Sequence, residues 1–192
     1  GGGSARDALA VGPPPWLAEL VEWDRCYEGD TTRMRLAIAL ARENVVRELG
    51  GPFGAVVFDA ERGRVVAAGV NSVTRLTSSM LHAEVVALML AQHRLGSFTL
   101  AAPGFPRHEL VTSCEPCAMC LGATLWSGVR RLVCGATRDD AVAVGFDEGP
   151  VFPQSYAYLE ARGIAVTRGV LREEGREVLE LYRRLGGPIY NA

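Results

Sequence analysis

A histidine, two cysteines and a spare carboxylate stand in this chain at spacings from which a catalytic zinc site can be built. His82-Ala83-Glu84 contributes an imidazole and an acid, and Glu115-Pro116-Cys117-Ala118-Met119-Cys120 contributes two thiols three residues apart. Catalytic zinc usually takes three protein ligands and leaves the fourth tetrahedral position to water, and His82, Cys117 and Cys120 are ligands of the right kind. Glu84 is then left over. Two positions after the histidine at a helix start, it can stand beside the water and carry protons without binding the metal.

The elements around these residues must bring them together. Pro116 suits the first turn of a helix, where its missing N–H has no helical partner, and places Cys117 and Cys120 on one face of that turn. The positive end of the helix favours thiolates there. The run His82 to Leu95 is apolar around much of its circumference and reads as a buried helix stopped by Gly96. Upstream, Met34, Ile38, Ala41, Val45 and Leu49 recur at helical spacing after a cap at Thr31 or Thr32. A shorter helix is expected over Trp16 to Tyr27. Pro52 to Asp59 and Arg64 to Val70 read as an antiparallel hairpin. Further strands are expected from Leu110, over Arg130 to Gly135 and over Ile164 to Thr167, with helices over Asp139 to Gly145, Tyr156 to Arg162 and Arg172 to Leu185. Alternation of strand and helix implies a parallel portion of sheet. The expected fold is an α/β three-layer α/β/α sandwich.

A chain of 192 residues with 48% apolar content is sized for one core. Residues 1–15, beginning Gly1-Gly2-Gly3-Ser4 and stiffened by Pro13-Pro14-Pro15, read as a flexible tail or linker scar, with a single domain over 16–192. Apolar runs fall short of the roughly 18 residues of a membrane span, so a soluble, cytoplasmic protein is expected. Formal charge is −2, without a basic stripe for duplex nucleic acid. All 20 basic residues are arginine. The absence of lysine excludes a lysine Schiff base and a phosphate loop with its lysine. Three of the five cysteines, Cys114, Cys117 and Cys120, fall within seven residues, which reads as metal binding rather than a disulfide framework.

Dull alternatives stand beside these readings. Joining Cys114 to the other three ligands would give a closed Cys3His structural site, although Glu84 has no use there and Cys114 lies before the helix turn. His93 is nearly three turns past His82, and His108 sits in a loop, so neither converges on the metal. Glu148, in Phe146-Asp147-Glu148-Gly149-Pro150, is either a solvated turn acid or a second proton carrier. Asn71 either stabilises its own turn or meets a ligand.

His-x-Glu followed by Pro-Cys-x-x-Cys is the signature of zinc deaminases of nucleobases. With Gly51-Pro52-Phe53-Gly54-Ala55, Thr112-Ser113-Cys114-Glu115-Pro116-Cys117, Gly145-Phe146-Asp147-Glu148 and Ile189-Tyr190-Asn191, the chain resembles the cytidine-deaminase-like superfamily and, within it, bacterial guanine deaminases. The resemblance implies a mixed five-stranded sheet and a homodimer whose C-terminal tails, residues 186–192, exchange to cover the partner's site. It assigns His82, Cys117 and Cys120 to zinc and Glu84 to the main proton shuttle, and it makes Glu148 a second shuttle. Asn71 would bond the base, Phe53 and Trp126 would line the pocket, and Tyr190 would close it. Ser78-Ser79-Met80-Leu81 and the N-terminal region with Trp16 and Trp23 depart from the pattern.

The implied reaction is hydrolysis of a guanine-like amino heterocycle, guanine to xanthine and ammonia. The same chemistry on ammeline or another aminotriazine, a pterin, cytosine or a nucleoside is the near alternative, because specificity rests on a few pocket contacts. A tRNA adenosine deaminase and a non-catalytic zinc-stabilised module are further alternatives, the former at odds with the balanced charge.

Overall fold

A computed structural model describes residues 5–191, so the expectation for Gly1 to Ser4 lies outside the described residues. After a 3-10 turn at Ala5–Asp7, the helices are α1 Leu17–Leu20, α2 Gly29–Glu48, α3 Ala83–Leu95, α4 Ala118–Ser127, α5 Arg138–Ala143, α6 Pro153–Ala161 and α7 Arg172–Arg184. The strands are β1 Gly54–Asp59, β2 Arg64–Val70, β3 His108–Cys114, β4 Arg131–Ala136 and β5 Ala165–Thr167. They form one five-stranded sheet in the order β2-β1-β3-β4-β5. β1 runs antiparallel to both β2 and β3, whereas β3, β4 and β5 are parallel, which is the expected mixed sheet.

Helices cover both faces. On one side Met34, Leu40 and Val45 of α2 meet Val56 and Phe58 of β1 and Val178, Leu179 and Tyr182 of α7. On the other, Ala83, Ala87 and Leu88 of α3 join Leu121 of α4 and Leu159 of α6 over Ala55, Val57, Leu110 and Leu132. Alternation along β1 divides its residues between the two cores, since successive strand side chains point to opposite faces. Burying the three central strands, β1, β3 and β4, on both sides explains the apolar runs in β1 and β4.

Glycine sets how closely two helices approach this sheet. A Cβ on Gly54 would fall against backbone atoms of Ala37 and Ala41 in α2, and one on Gly69 would lie 2.6 Å from Ala83 O and 2.8 Å from Ala87 N in α3. The two residues sit on adjacent strands near one end of the sheet, where Ala55 pairs with Gly69. Helix α3 is thereby pressed onto the strand that leads to His82.

Several boundaries differ from the expected ones. α2 starts at Gly29 with Glu28 as its N-cap and no side-chain cap bond, so neither Thr31 nor Thr32 caps it. The helix expected over Trp16 to Tyr27 shrinks to four residues, because Val21 is already extended. Its aromatic residues bind the body individually. Trp16 Nε1 donates to Glu48 Oε1 at 2.9 Å, and the Arg94 guanidinium lies 4.6 Å from the Trp23 ring centroid. The lead-in is also held, since Arg75 Nη2 donates to Gly12 O at 2.8 Å. No described helix is long and apolar enough to cross a membrane.

Candidate active site and metal centre

His82 and Cys117 are both N-cap residues, of α3 and α4, with extended backbones at φ −68° and −69°. Pro116 therefore precedes the N-cap and lies outside the first turn where it was expected, and Cys120 alone of the two cysteines lies within the helical turn. Two helix N-termini thus converge on one point, and their partial positive charge favours anionic ligands there. His82 Nδ1 lies 3.4 Å from Cys117 Sγ and 3.6 Å from Cys120 Sγ. Tetrahedral zinc with nitrogen and sulfur at their usual bond lengths separates such atoms by about 3.6 Å. The three ligand atoms lie within 4.8 Å of one another, so the donor set fits zinc as it stands.

The thiols already share one negative charge. The hydrogen bond from Cys120 brings the Cys117 thiol down to about 4, against the push of burial, and that same bond to the charged Cys117 sends the Cys120 thiol well up. Burial lowers the basicity of His82, but the bond to Cys117 and the charge of Glu84 outweigh it.

Cys114 is not a ligand. Its buried thiol turns to Thr137 O at 3.5 Å and is pushed up chiefly by burial. His93 is exposed and His108 is tied to Leu100 O at 3.0 Å, and neither joins the cluster among the described residues. A closed four-ligand site therefore has no fourth protein donor, and one coordination position is left for water.

Above the ligands lies a tight cavity of about 20 Å³, room for about one water molecule with the tail in place. Glu84 lines it, 4% exposed, with Thr112 Oγ1 donating to its Oε1 at 2.9 Å. Burial first, then the charge of Cys117, raises its carboxyl above the usual range. Glu148 lines the cavity as well, 7% exposed, and accepts no side-chain hydrogen bond from the described residues. Burial and the charges of Cys117 and Glu84 push it up to about 8. Its turn is fixed to the metal helix, because Ala118 N donates to Glu148 O at 2.9 Å.

Phe53, Asn71 and Tyr190 frame the remaining walls. Asn71 Oδ1 accepts from Val73 N at 3.3 Å and so holds its own turn, while its amide nitrogen has no acceptor among the described residues. Both readings of Asn71 are therefore compatible with its place. Phe53 stacks edge-on against Phe146 at 5.1 Å, Phe146 meets Tyr190 at 5.2 Å, and Tyr190 lies 6.4 Å from the His82 ring. Trp126 is a correction: it sits near the end of α4, 74% exposed, and does not line the cavity of its own chain. Its position eight residues past the N1 residue of α4 carries it about 12 Å along the axis from the metal end.

In the single chain the tail folds over its own site, with Asp147 N donating to Asn191 O and Asn191 Nδ2 to Asp147 O, both at 3.0 Å. Sequence reasoning also passed over Thr112, Glu115 and Asn191. Glu115 lines the cavity and takes Tyr156 Oη at 2.7 Å and Arg138 N at 2.8 Å, which fixes the turn just ahead of Cys117. Its only sequence signal was its place beside Pro116.

Residues 27–136 match the family described as the cytidine and deoxycytidylate deaminase zinc-binding region. The chain is 37% identical over 142 residues to guanine deaminase of Bacillus subtilis (strain 168), covering 74% of this chain and 86% of that protein. The solved guanine deaminase from Nitrosomonas europaea superposes with a TM-score of 0.89 at 46% identity, over 95% of this chain and 100% of that one. A structure in complex with 8-azaguanine gives a TM-score of 0.89 at 45% identity, with 95% and 100% covered. With more than half its length matched and the ligand triad assembled at the N-termini of α3 and α4, the chain belongs to the cytidine and deoxycytidylate deaminase zinc-binding family, as a zinc-dependent aminohydrolase.

Proposed function

We propose that this protein hydrolyses guanine to xanthine and ammonia. The observation that carries the reading is a small cavity that two buried carboxylates, Glu84 and Glu148, line together with His82 and Cys117 of the ligand cluster. Deamination moves two protons, one to a ring nitrogen and one to the departing amine, and the cavity holds an acid for each. The similarity to guanine deaminases and to a complex with 8-azaguanine supports a purine base over other rings.

His82, Cys117 and Cys120 hold the zinc, which when bound supplies a Lewis acid that makes hydroxide available near neutral pH. Glu84, oriented by Thr112, takes the proton of the attacking water and delivers it to the ring nitrogen next to C2. Glu148 contacts the substrate and assists protonation of the amine, so that it leaves as ammonia and water oxygen becomes the second carbonyl of xanthine. Asn71 offers its amide N–H2 to the base, Phe53 lies along the ring, and Tyr190 shuts out bulk water.

A homodimer with exchanged tails belongs to the same proposal. Gly186, at φ 72°, provides a turn from which residues 187–191 of a partner could make the contacts that the chain makes with itself. A cytoplasmic location is in keeping with five free cysteines, two of them used as reduced ligands.

The test is ammonia release from guanine by the zinc-loaded protein, beside ammeline, cytosine, adenine and guanosine. Rapid release from guanine is expected, and Glu84→Gln should abolish it while keeping zinc. Release from another ring alone would move the substrate, and near-normal turnover by the Glu84→Gln variant would overturn the proton route.

A further inference from the structure

Two buried side-chain polar atoms lack a hydrogen-bond partner among the described residues, Tyr190 Oη and Asn191 Oδ1. Both belong to the tail, and both residues line the catalytic cavity. A native fold satisfies nearly all its buried polar atoms, so a pair of orphans on two residues that line one cavity points to bonding that a ligand completes. Tyr190 Oη can donate or accept and says little about the ligand. Asn191 Oδ1 can only accept.

Its orientation is fixed by the clamp to Asp147. Asn191 Nδ2 lies 3.0 Å from the carbonyl Asp147 O, which can only accept, so nitrogen must occupy that position and oxygen the other. The second bond, from Asp147 N to Asn191 O, holds the backbone as well. The clamped residue thus stands beside the turn of Glu148 with an acceptor and no donor.

We propose that Asn191 is a specificity-determining residue whose Oδ1 accepts a hydrogen bond from a ring N–H of the bound base. This rests on the guanine reading and refines it to heterocycles that keep that N–H. A ring carbonyl or a bare ring nitrogen at the same place would set two acceptors against each other. A substituent on that ring nitrogen would both remove the donor and crowd a cavity already closed by the tail. Discrimination by a buried polar group is strong for this reason, since the wrong ligand leaves it unpaired.

The experiment compares guanine with 1-methylguanine and 9-methylguanine, each lacking one ring N–H, by turnover and by inhibition constant. The proteins are the zinc-loaded wild type, Asn191→Leu, which keeps the volume without an acceptor, and Asn191→Gln, which keeps an amide with both its donor and its acceptor. In Asn191→Leu the preference for guanine over one of the methylated bases should fall by at least about tenfold, with the loss in KM, while Asn191→Gln retains more of the preference than Asn191→Leu. Binding of a methylated base only by Asn191→Leu would be the largest form of that change. Equal loss for all three bases, or methylated bases excluded to the same extent by wild type and Asn191→Leu, would overturn the proposal and leave Asn191 a packing residue. Failure of the guanine reading itself would be seen earlier and separately, as no ammonia from guanine with the wild type, and would take the proposal with it.

Discussion

Adding one methyl group at Gly69 should displace the chemistry without touching it. An alanine Cβ there would lie 2.6 Å from Ala83 O, 2.8 Å from Ala87 N and 3.1 Å from Val86 Cβ, where ordinary contact begins at 3.4 Å. The two closest atoms are helix backbone, so no side-chain rotation relieves them, and α3 must retreat by about 0.6 to 0.8 Å. Ala83 lies between His82 and Glu84, so both move with it. Overpacking of this kind costs about 1–3 kcal/mol, equivalent to a Tm lower by about 2–12 °C for a domain of this size. Misplacement of reacting groups by about 1 Å costs roughly 100-fold, so kcat should fall by roughly 10- to 100-fold. Thermal unfolding, zinc content and ammonia-release kinetics of Gly69→Ala measure the three effects. Gly122→Ala is the control, because a Cβ on that residue of α4 meets nothing within 4 Å and alanine favours a helix by about 1 kcal/mol. A Gly69→Ala protein with wild-type Tm and kcat would refute the close-packing argument.

Three further outcomes are expected. Thr112→Val should lower kcat roughly 10-fold or more with little change in KM, and Thr112→Ser should restore it, because the hydroxyl, held between Cys114 O and the Glu84 carboxyl, orients Glu84. Cys114→Ser should keep a full complement of zinc by elemental analysis; loss of the metal would return Cys114 to the ligand set. Asp30→Asn should lower stability at pH 7 by about 1–2 kcal/mol, because Asp30 accepts two bonds of 2.6 Å from Arg131. That hydrogen bond holds the Asp30 carboxyl below its ordinary value. The stabilisation is therefore complete above about pH 4 and fades as the pH falls through the lowered pKa, so denaturation curves of wild type and variant should converge in acid and stay apart at neutrality.

The metal triad was legible because its signal is local: two short runs fix ligand type and spacing whatever the rest of the chain does. The sheet was legible for a similar reason, since valine-rich runs such as Val56-Val57-Phe58 leave little choice but a strand buried on both faces. Glu148 was not readable from spacing, because nothing in a Gly-Pro turn says that it folds back against α4. Trp126 shows the opposite error. The resemblance implied a pocket wall there, but in its own chain the residue lies too far along α4 to reach the cavity. Asn191 was out of reach, since its part depends on a clamp across 44 residues to Asp147. The N-terminal helix failed because Trp16 and Trp23 gain their burial from separate partners, Glu48 and Arg94, and need no shared helical face.

Charge pairing and catalysis occupy opposite ends of the same strand. Glu109, near the start of β3, accepts from Arg33 at 2.6 Å and lies 3.5 Å from Arg131, which also grips Asp30. The metal ligands follow the other end of β3, five residues further at Cys114, a separation of about 17 Å at the usual rise per residue. Such sites combine almost additively when they share no partner. The protein can therefore drift, or be engineered, toward hotter or saltier conditions by rewriting the arginine cluster, while substrate preference evolves independently at the tail and the pocket walls.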